Sequence, residues 1–301
     1  MSKIILISGT TASGKSDFAV RIAKKINGEI INADSMQIYK EIKILNTRPD
    51  KNLTRQIKHH LYGFHSVKKN FSVGHWLKLA VKTISNLQKK NKTPIIVGGT
   101  GLYFKSLTDG LVKIPNIPMK FRKKIRNQQS KIGQKKFYKN LIKLDPQCKN
   151  RINSSDTQRS IRAYEVKKFS GISLFEWFKK TKSKYNYNQF IKIYLDFSRE
   201  RILIRINERC KKIIGKHSIN EVRKFNKLKV RKNISSNKII GIAEITDFIA
   251  KKYDLQQLQE KISIKTRQYA KRQTTWARSH MSDWTRVSEL ETKNFIKNFK
   301  Y

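Results

Sequence analysis

A parallel α/β sheet with helices on both faces, interrupted by a helical insertion, is the fold the sequence predicts, and three observations predict it. Short, fully apolar runs at Ile4–Ile7 and Pro94–Val97 each end in a glycine turn, as strands buried on both faces do. Helical spacing lies between them: Phe18, Ala19, Ile22, Ala23 and Ile26 form one stripe, and Trp76, Leu79, Thr83, Ile84 and Leu87 form another. Near Ile114 the strand signals stop, Pro115 and Pro118 punctuate the chain, and helical spacing takes over. We divide the 301 residues into a first part of the core at 1–113, a helical insertion at 114–190, and a core continuation at 191–301 that ends in a basic helix.

The elements follow in order. Ile4–Ile7 is the first strand, Gly9 to Ser16 a loop, and the stripe from Phe18 to Ile26 the first helix. Glu29-Ile30-Ile31-Asn32-Ala33-Asp34 reads as a second strand with a polar tip, and His75–Lys89 as a helix. In the insertion, Phe137, Leu141 and Leu144 mark one helix. Ser155-x-x-Gln158 resembles a capping box opening another, whose apolar face is expected to be Ile161, Tyr164, Val166 and Phe169. Lys192–Asp196 returns to strand, Leu203, Ile206, Cys210 and Ile213 form a helix face, and 254–281 is helical and basic. On that last helix Leu255, Leu258, Ile262 and Tyr269 are expected to face a core. Lys261, Lys265, Gln268 and Arg272 would line another face.

Composition bounds the class of protein. There are 67 Lys and Arg against 21 Asp and Glu, a net charge of +46, so the partner expected is a polyanion. Lys, Ile and Asn are all abundant, a compositional drift that accounts for much of the lysine. No apolar stretch reaches the roughly 20 residues of a membrane span, and the first strand begins too soon for a signal peptide. Cys148 and Cys210 lack metal-binding spacing, so a reduced, cytoplasmic protein is expected, with no membrane contact.

The chemistry starts with Gly9-Thr10-Thr11-Ala12-Ser13-Gly14-Lys15-Ser16, a GxxxxGKS loop between a strand and a helix. Its glycines let backbone N–H groups wrap a phosphate at a helix N-terminus, Lys15 adds a full charge, and the Ser16 hydroxyl is the expected Mg²⁺ ligand. The loop says diphosphate or triphosphate without naming a nucleotide. A carboxylate is expected at the end of a later apolar strand in a nucleotide-hydrolysing protein, yet Val97-Gly98-Gly99-Thr100 has none. The carboxylate instead follows the second strand, as Asp34. In a parallel sheet the strand ends share one crevice, so Asp34, Thr100 and the loop are expected to converge there.

Five motifs then carry a resemblance: GTTASGKS at 9–16, ADSMQIY at 33–39, VGGTGLYF at 97–104, QRSIRAYEV at 158–166 and AKRQTTWAR at 270–278. Together, in order and over essentially the whole chain, they resemble the bacterial tRNA dimethylallyltransferases. The resemblance implies transfer of a dimethylallyl group from dimethylallyl diphosphate to an adenine beside the anticodon, with diphosphate released. It implies that residues 9–16 hold the diphosphate with Mg²⁺. Asp34 would be the base, with Thr100 near the reacting groups and Lys15 on the leaving group. It assigns the tRNA anticodon loop to Asp34, Ser35, Met36, Gln37, Thr100, Arg122, Gln158, Arg159, Ser160, Ile161, Arg162, Lys271, Arg272, Gln273 and Arg278; no protein partner is implied.

The chain also departs from that family. A late Gly-Tyr-Arg-Gln segment reads Gly241-Ile242-Ala243-Glu244 here, Leu45-Asn46-Thr47-Arg48-Pro49 replaces a Gly-Thr-Ala-Lys-Pro stretch, and no zinc finger follows Trp284, as in the shorter bacterial members. Three other readings stand beside it: a small-molecule kinase using ATP at the same loop, a prenyltransferase acting on free adenine nucleotides, and a nucleic-acid-binding module without catalysis.

Overall fold

A computed structural model describes residues 3–300. The chain forms two compact units, one of residues 1–108 with 185–301 and one of residues 109–184.

The larger unit is built on a sheet with six strands among the described residues: β1 (Ile4–Gly9), β2 (Gly28–Asn32), β3 (His59–His60), β4 (Thr93–Gly98), β5 (Phe190–Leu195) and β6 (Thr285–Val287), in the order β3-β2-β4-β1-β5-β6. Every pairing is parallel. Alternation along β1 explains the layers. Ile4 and Leu6 point into a core with Trp76, Ala80 and Ile84 of helix Val73–Gln88 and with Phe104. Ile5 and Ile7 point the other way, onto Phe18, Ala19, Ile22 and Ala23 of helix Lys15–Lys25. Helices thus cover both faces. The central strands β1 and β4 are buried along their whole length because neither of their faces meets water, whereas the edge strand β6 leaves Thr285 and Arg286 exposed.

A third core, with Ile206, Cys210, Val222, Ile245, Leu258 and Ile262, lies under the helices Arg199–Ile213, Lys216–Lys227, Ile242–Ile249 and Leu255–His280. Leu255 is left out of it and is half exposed. The chain beyond β1 runs to β2, on the β4 side, whereas the chain beyond β4 runs to β5, on the other side of β1. The strand order therefore reverses between β1 and β4. At such a reversal the loops from the C-terminal strand ends part and leave a crevice.

The smaller unit is helical, with helices Met119–Leu144, Thr157–Ser170 and Leu174–Lys179. The first breaks at Gly133, whose φ of 76° no helix accepts. Leu141, Cys148, Ala163, Val166 and Leu174 form its core. This unit spans 109–184 rather than 114–190, since Tyr185 packs on Phe190 of β5.

Two local expectations are corrected here. The cap of helix Thr157–Ser170 is Asp156, whose side chain accepts from the Arg159 N–H at 3.0 Å; Ser155 instead bonds Asn153. The buried face is Ser160, Ala163, Glu165 and Val166, while Phe169 is exposed.

Candidate active site

The crevice between the ends of β1 and β4 opens into a cavity of about 630 Å³ lined by the phosphate loop, Asp34, Met36, Gln37, Tyr62, Arg205, Arg209, Tyr269 and Arg272. β1 delivers the loop. Gly14 stands at φ 79°, a left-handed conformation that glycine adopts without strain, and begins the helix at Lys15. The hydroxyls of Thr10 and Ser13 are buried there without a hydrogen-bond partner among the described residues. Unsatisfied buried hydroxyls beside free helix N–H groups fit an anionic oxygen ligand.

Lys15 Nζ donates to the Thr10 carbonyl at 2.5 Å. Burial, with Arg209 and Arg205 nearby, lowers its pKa to about 8, against the opposing pull of Asp34. Ser16 lies on the cavity wall. No group of three or more His, Cys, Asp or Glu stands ready to hold a metal among the described residues. The residues present fit a hard cation that keeps water and phosphate oxygens as its other ligands, with one hydroxyl from the protein.

β2 ends at Asn32, and a side-chain network turns the chain there. The buried Asn32 amide donates to the carbonyls of Asp34 and Leu61 at 3.0 Å each, and its Oδ1 accepts from the Asp34 N–H at 2.8 Å. Trp76 Nε1 donates to the Asn32 carbonyl at 2.7 Å. Asp34 Oδ1 accepts from the Met36 N–H at 2.9 Å, so its carboxylate is fixed by a local turn. Burial raises the phenol pKa values of Tyr62, Tyr103 and Tyr269, and the charge of Asp34 raises each further.

β4 delivers Thr100. Its N–H donates to the Ala33 carbonyl at 3.1 Å, and its Oγ1 accepts from the Ser35 N–H at 2.9 Å. The structure therefore brings Asp34, Thr100 and the phosphate loop together. No carboxylate stands at the end of β4.

The sequence reading missed Arg205 and Arg209. Both lie on helix Arg199–Ile213, which follows β5, and β5 pairs with β1 so that Leu195 sits opposite Gly9. Arg209 donates to Thr11 Oγ1 at 3.0 Å and to Thr47 Oγ1. Arg205 reaches Glu289 at 3.4 Å and lies over Gly14, where an added Cβ would meet its guanidinium at 3.1 Å. Thr47, in the segment departing from the family pattern, is thereby part of the site. The signal available was two arginines four residues apart, one helical turn, just beyond a strand expected to run parallel to the first.

The residues expected at RNA fall into several places. Ser35 and Met36 are half buried beside Asp34, and Gln37 donates to the Asn46 carbonyl at 3.0 Å. Lys271, Arg272 and Arg278 are exposed on helix Leu255–His280. In the smaller unit Gln158 and Arg159 are exposed, Arg159 with 73% of its side chain accessible and 3.5 Å from Asp156. Arg122 and Arg162 converge with Arg126 on the buried carboxylate of Glu165, at 3.2, 3.6 and 3.5 Å. Ser160 does not reach the surface: it is fully buried and accepts from Gln134 at 3.1 Å. Ile161 is half buried.

The basic stripe of the last long helix is also interrupted. Lys265 is ion-paired with Glu244, which caps helix Ile242–Ile249 by accepting from the Gly241 N–H at 2.8 Å. The altered Gly241–Glu244 segment thus puts a buried carboxylate where the family pattern has glutamine.

A family model described as IPP transferase matches residues 37–280. The chain belongs to the IPP transferase family. It is 56% identical over 299 residues to a tRNA dimethylallyltransferase of Pelagibacter ubique (strain HTCC1062), covering 99% of this chain and 96% of that one. Among solved structures it resembles a tRNA isopentenylpyrophosphate transferase of Bacillus halodurans, with a TM-score of 0.71 and 26% identity, over 99% of this chain and 95% of that one. It also shares the fold of a eukaryotic dimethylallyltransferase acting on tRNA, with a TM-score of 0.85 and 24% identity, over 99% of this chain and 76% of the other. The phosphate loop and Asp34 precede the segment matched by the IPP transferase family model, and the Pelagibacter relative aligns across 99% of the chain.

Proposed function

We propose that the protein transfers a dimethylallyl group from dimethylallyl diphosphate to the exocyclic amine of the adenine 3′ of a tRNA anticodon. One observation carries the chemistry: a fixed carboxylate, Asp34, opens onto the same cavity as a phosphate loop flanked by two arginines. Family membership and the names of the full-length relatives support the substrates.

In this reading the diphosphate lies along the loop amides, with Lys15, Arg205 and Arg209 around it. The adenine nitrogen attacks the first allylic carbon. The new carbon–nitrogen bond forms as the carbon–oxygen bond to diphosphate breaks, and the Asp34 carboxylate takes the proton the nitrogen sheds. The positive groups act on charge that grows at the leaving oxygens, where such stabilisation has most effect. Mg²⁺, held by Ser16 and phosphate oxygens, would neutralise part of that charge when bound. Thr100, whose Oγ1 accepts from the N–H of Ser35, the residue next to Asp34, would help orient the amine. The adenine leaves its stack to enter the cavity, as bases do when enzymes act on them. On the smaller unit Arg122, Arg159 and Arg162, and separately on the larger unit Lys271, Arg272 and Arg278, would each meet tRNA phosphates. The tRNA substrate and the reduced Cys148 and Cys210 both fit a cytoplasmic location.

The kinase reading is disfavoured by the end of β4, where Val97-Gly98-Gly99 offers no carboxylate for a nucleotide-bound metal. The deciding experiment incubates the protein with labelled dimethylallyl diphosphate, Mg²⁺ and tRNA. Label is expected in tRNAs with adenine 3′ of the anticodon, without ATP. Phosphate transfer from ATP with no labelled tRNA would overturn the reading.

A further inference from the structure

We infer that Gln273 is a positioning residue that locks the phosphate loop to the turn carrying Thr100, rather than a residue that reads RNA. The inference rests on the proposed use of that loop for a diphosphate.

The geometry of one amide carries it. Gln273 Oε1 accepts from the Thr11 N–H at 2.7 Å, and Gln273 Nε2 donates to the Gly99 carbonyl at 3.0 Å. Acceptor and donor of the same side chain therefore span the crevice between the ends of β1 and β4. Lys271 and Arg272 beside it on the helix are exposed, whereas Gln273 is half buried with both ends of its amide bonded inside the protein.

The glycines around Thr100 show how closely the helix approaches. A Cβ at Gly99 would lie 2.1 Å from Gln273 Nε2, and a Cβ at Gly101 would lie 2.1 Å from Trp276 Cε3. Two side chains of helix Leu255–His280, three residues apart and so on one face, press on the residues either side of Thr100. From the other side Thr100 is held by Ala33 and Ser35. The turn has little freedom to shift relative to the loop while Gln273 bridges them.

The bridge also sets which amides remain for a ligand. Thr11 gives its N–H to Gln273, so the phosphate falls to the loop beyond it, where Ala12 at φ 65° and Gly14 at φ 79° turn the backbone. Only an amide side chain suits both partners. Glutamate would still accept from Thr11 but would set a carboxylate oxygen against the Gly99 carbonyl, and alanine would leave a donor and an acceptor unpaired.

The test compares Gln273→Glu and Gln273→Ala with the unaltered protein. Calorimetry with inorganic diphosphate and Mg²⁺, without tRNA, reads the loop alone. Steady-state transfer then gives KM for each substrate and kcat. Roughly 10-fold weaker diphosphate binding and a comparable loss of kcat are expected, with KM for tRNA unchanged. Thermal melting checks that each variant folds, and the isosteric glutamate keeps the helix packing if alanine does not.

A second arm uses Gly99→Ala, whose new methyl would displace the Gln273 amide. Its cost should be large in the unaltered background and much smaller beside Gln273→Ala, because the clashing amide is gone. A raised KM for tRNA with diphosphate binding unchanged would overturn the inference and make Gln273 an RNA contact. Additive effects of the two substitutions would overturn it as well. If the unaltered protein prenylates no tRNA, the proposed function fails, while the diphosphate measurements still decide the role of Gln273.

Discussion

Diphosphate binding should weaken as the pH rises through about 8, because Lys15 enters the site already partly stripped of its hold on a proton. Burial is the largest cause of its lowered pKa, Arg209 and Arg205 add to it, and Asp34 opposes it. A bound diphosphate puts negative charge beside the ammonium and restores its affinity for the proton. Binding above pH 8 must then take up a proton, and affinity falls by up to about 10-fold per pH unit in that range. At pH 9 the affinity for dimethylallyl diphosphate should be about 10-fold below that at pH 7.

Titration calorimetry at each pH, in two buffers of different ionisation enthalpy, counts the protons. About one should be taken up at pH 9 and almost none at pH 7. Lys15→Arg should flatten both curves, since a guanidinium stays charged throughout. The unliganded protein gives the opposite trend. Between about pH 8 and the ordinary lysine value of 10.5, the unfolded chain holds this proton and the folded one releases it. The contribution of Lys15 to stability therefore improves as pH rises through that window. Proton uptake absent at pH 9, or persisting in Lys15→Arg, would refute the assignment of Lys15 to the diphosphate.

Three further outcomes are expected. Asp34→Asn keeps an oxygen for the Met36 N–H but loses the base, so turnover should fall by about 10² to 10⁴-fold with diphosphate binding retained; normal turnover would make the carboxylate structural. Arg209→Ala removes a cation beside Thr11 and should raise KM for dimethylallyl diphosphate by roughly 10- to 100-fold without changing tRNA affinity, as steady-state kinetics will show. Arg159→Ala removes an exposed charge, so filter binding across salt concentrations should give a log–log slope for tRNA shallower by about 0.7 to 0.9, with the melting temperature unchanged; an unaltered slope would make Arg159 ordinary surface.

What was legible in the sequence was what is local in the chain. The strand, loop and helix from Ile4 to Lys25 are continuous, and the apolar run, the glycines and the stripe at Phe18, Ala19, Ile22 and Ala23 state the geometry without help from elsewhere. Asp34 and Thr100 were reachable because each follows a strand of a parallel sheet, and parallel strands bring their ends together. Arg205 and Arg209 were not, for a reason set by composition. Among 67 basic residues no single arginine stands out until the register of β5 against β1 puts its helix beside the loop.

The helix Thr157–Ser170 was misread for a related reason. Apolar periodicity points to Ile161, Tyr164, Val166 and Phe169; Val166 is buried as expected, but the rest of the buried face is Ser160, Ala163 and Glu165. A carboxylate becomes tolerable there only because three arginines, two from another helix, close around it. In a chain this basic, an acidic residue is the rarer and more informative partner. Glu165 gathers arginines in one unit; Glu244 pairs Lys265, Glu289 holds Arg201 and Arg205, and Asp34 faces Lys15 in the other. The few carboxylates fix where many of the cations point, which is why sites hidden in the positive charge become visible from the negative side chains.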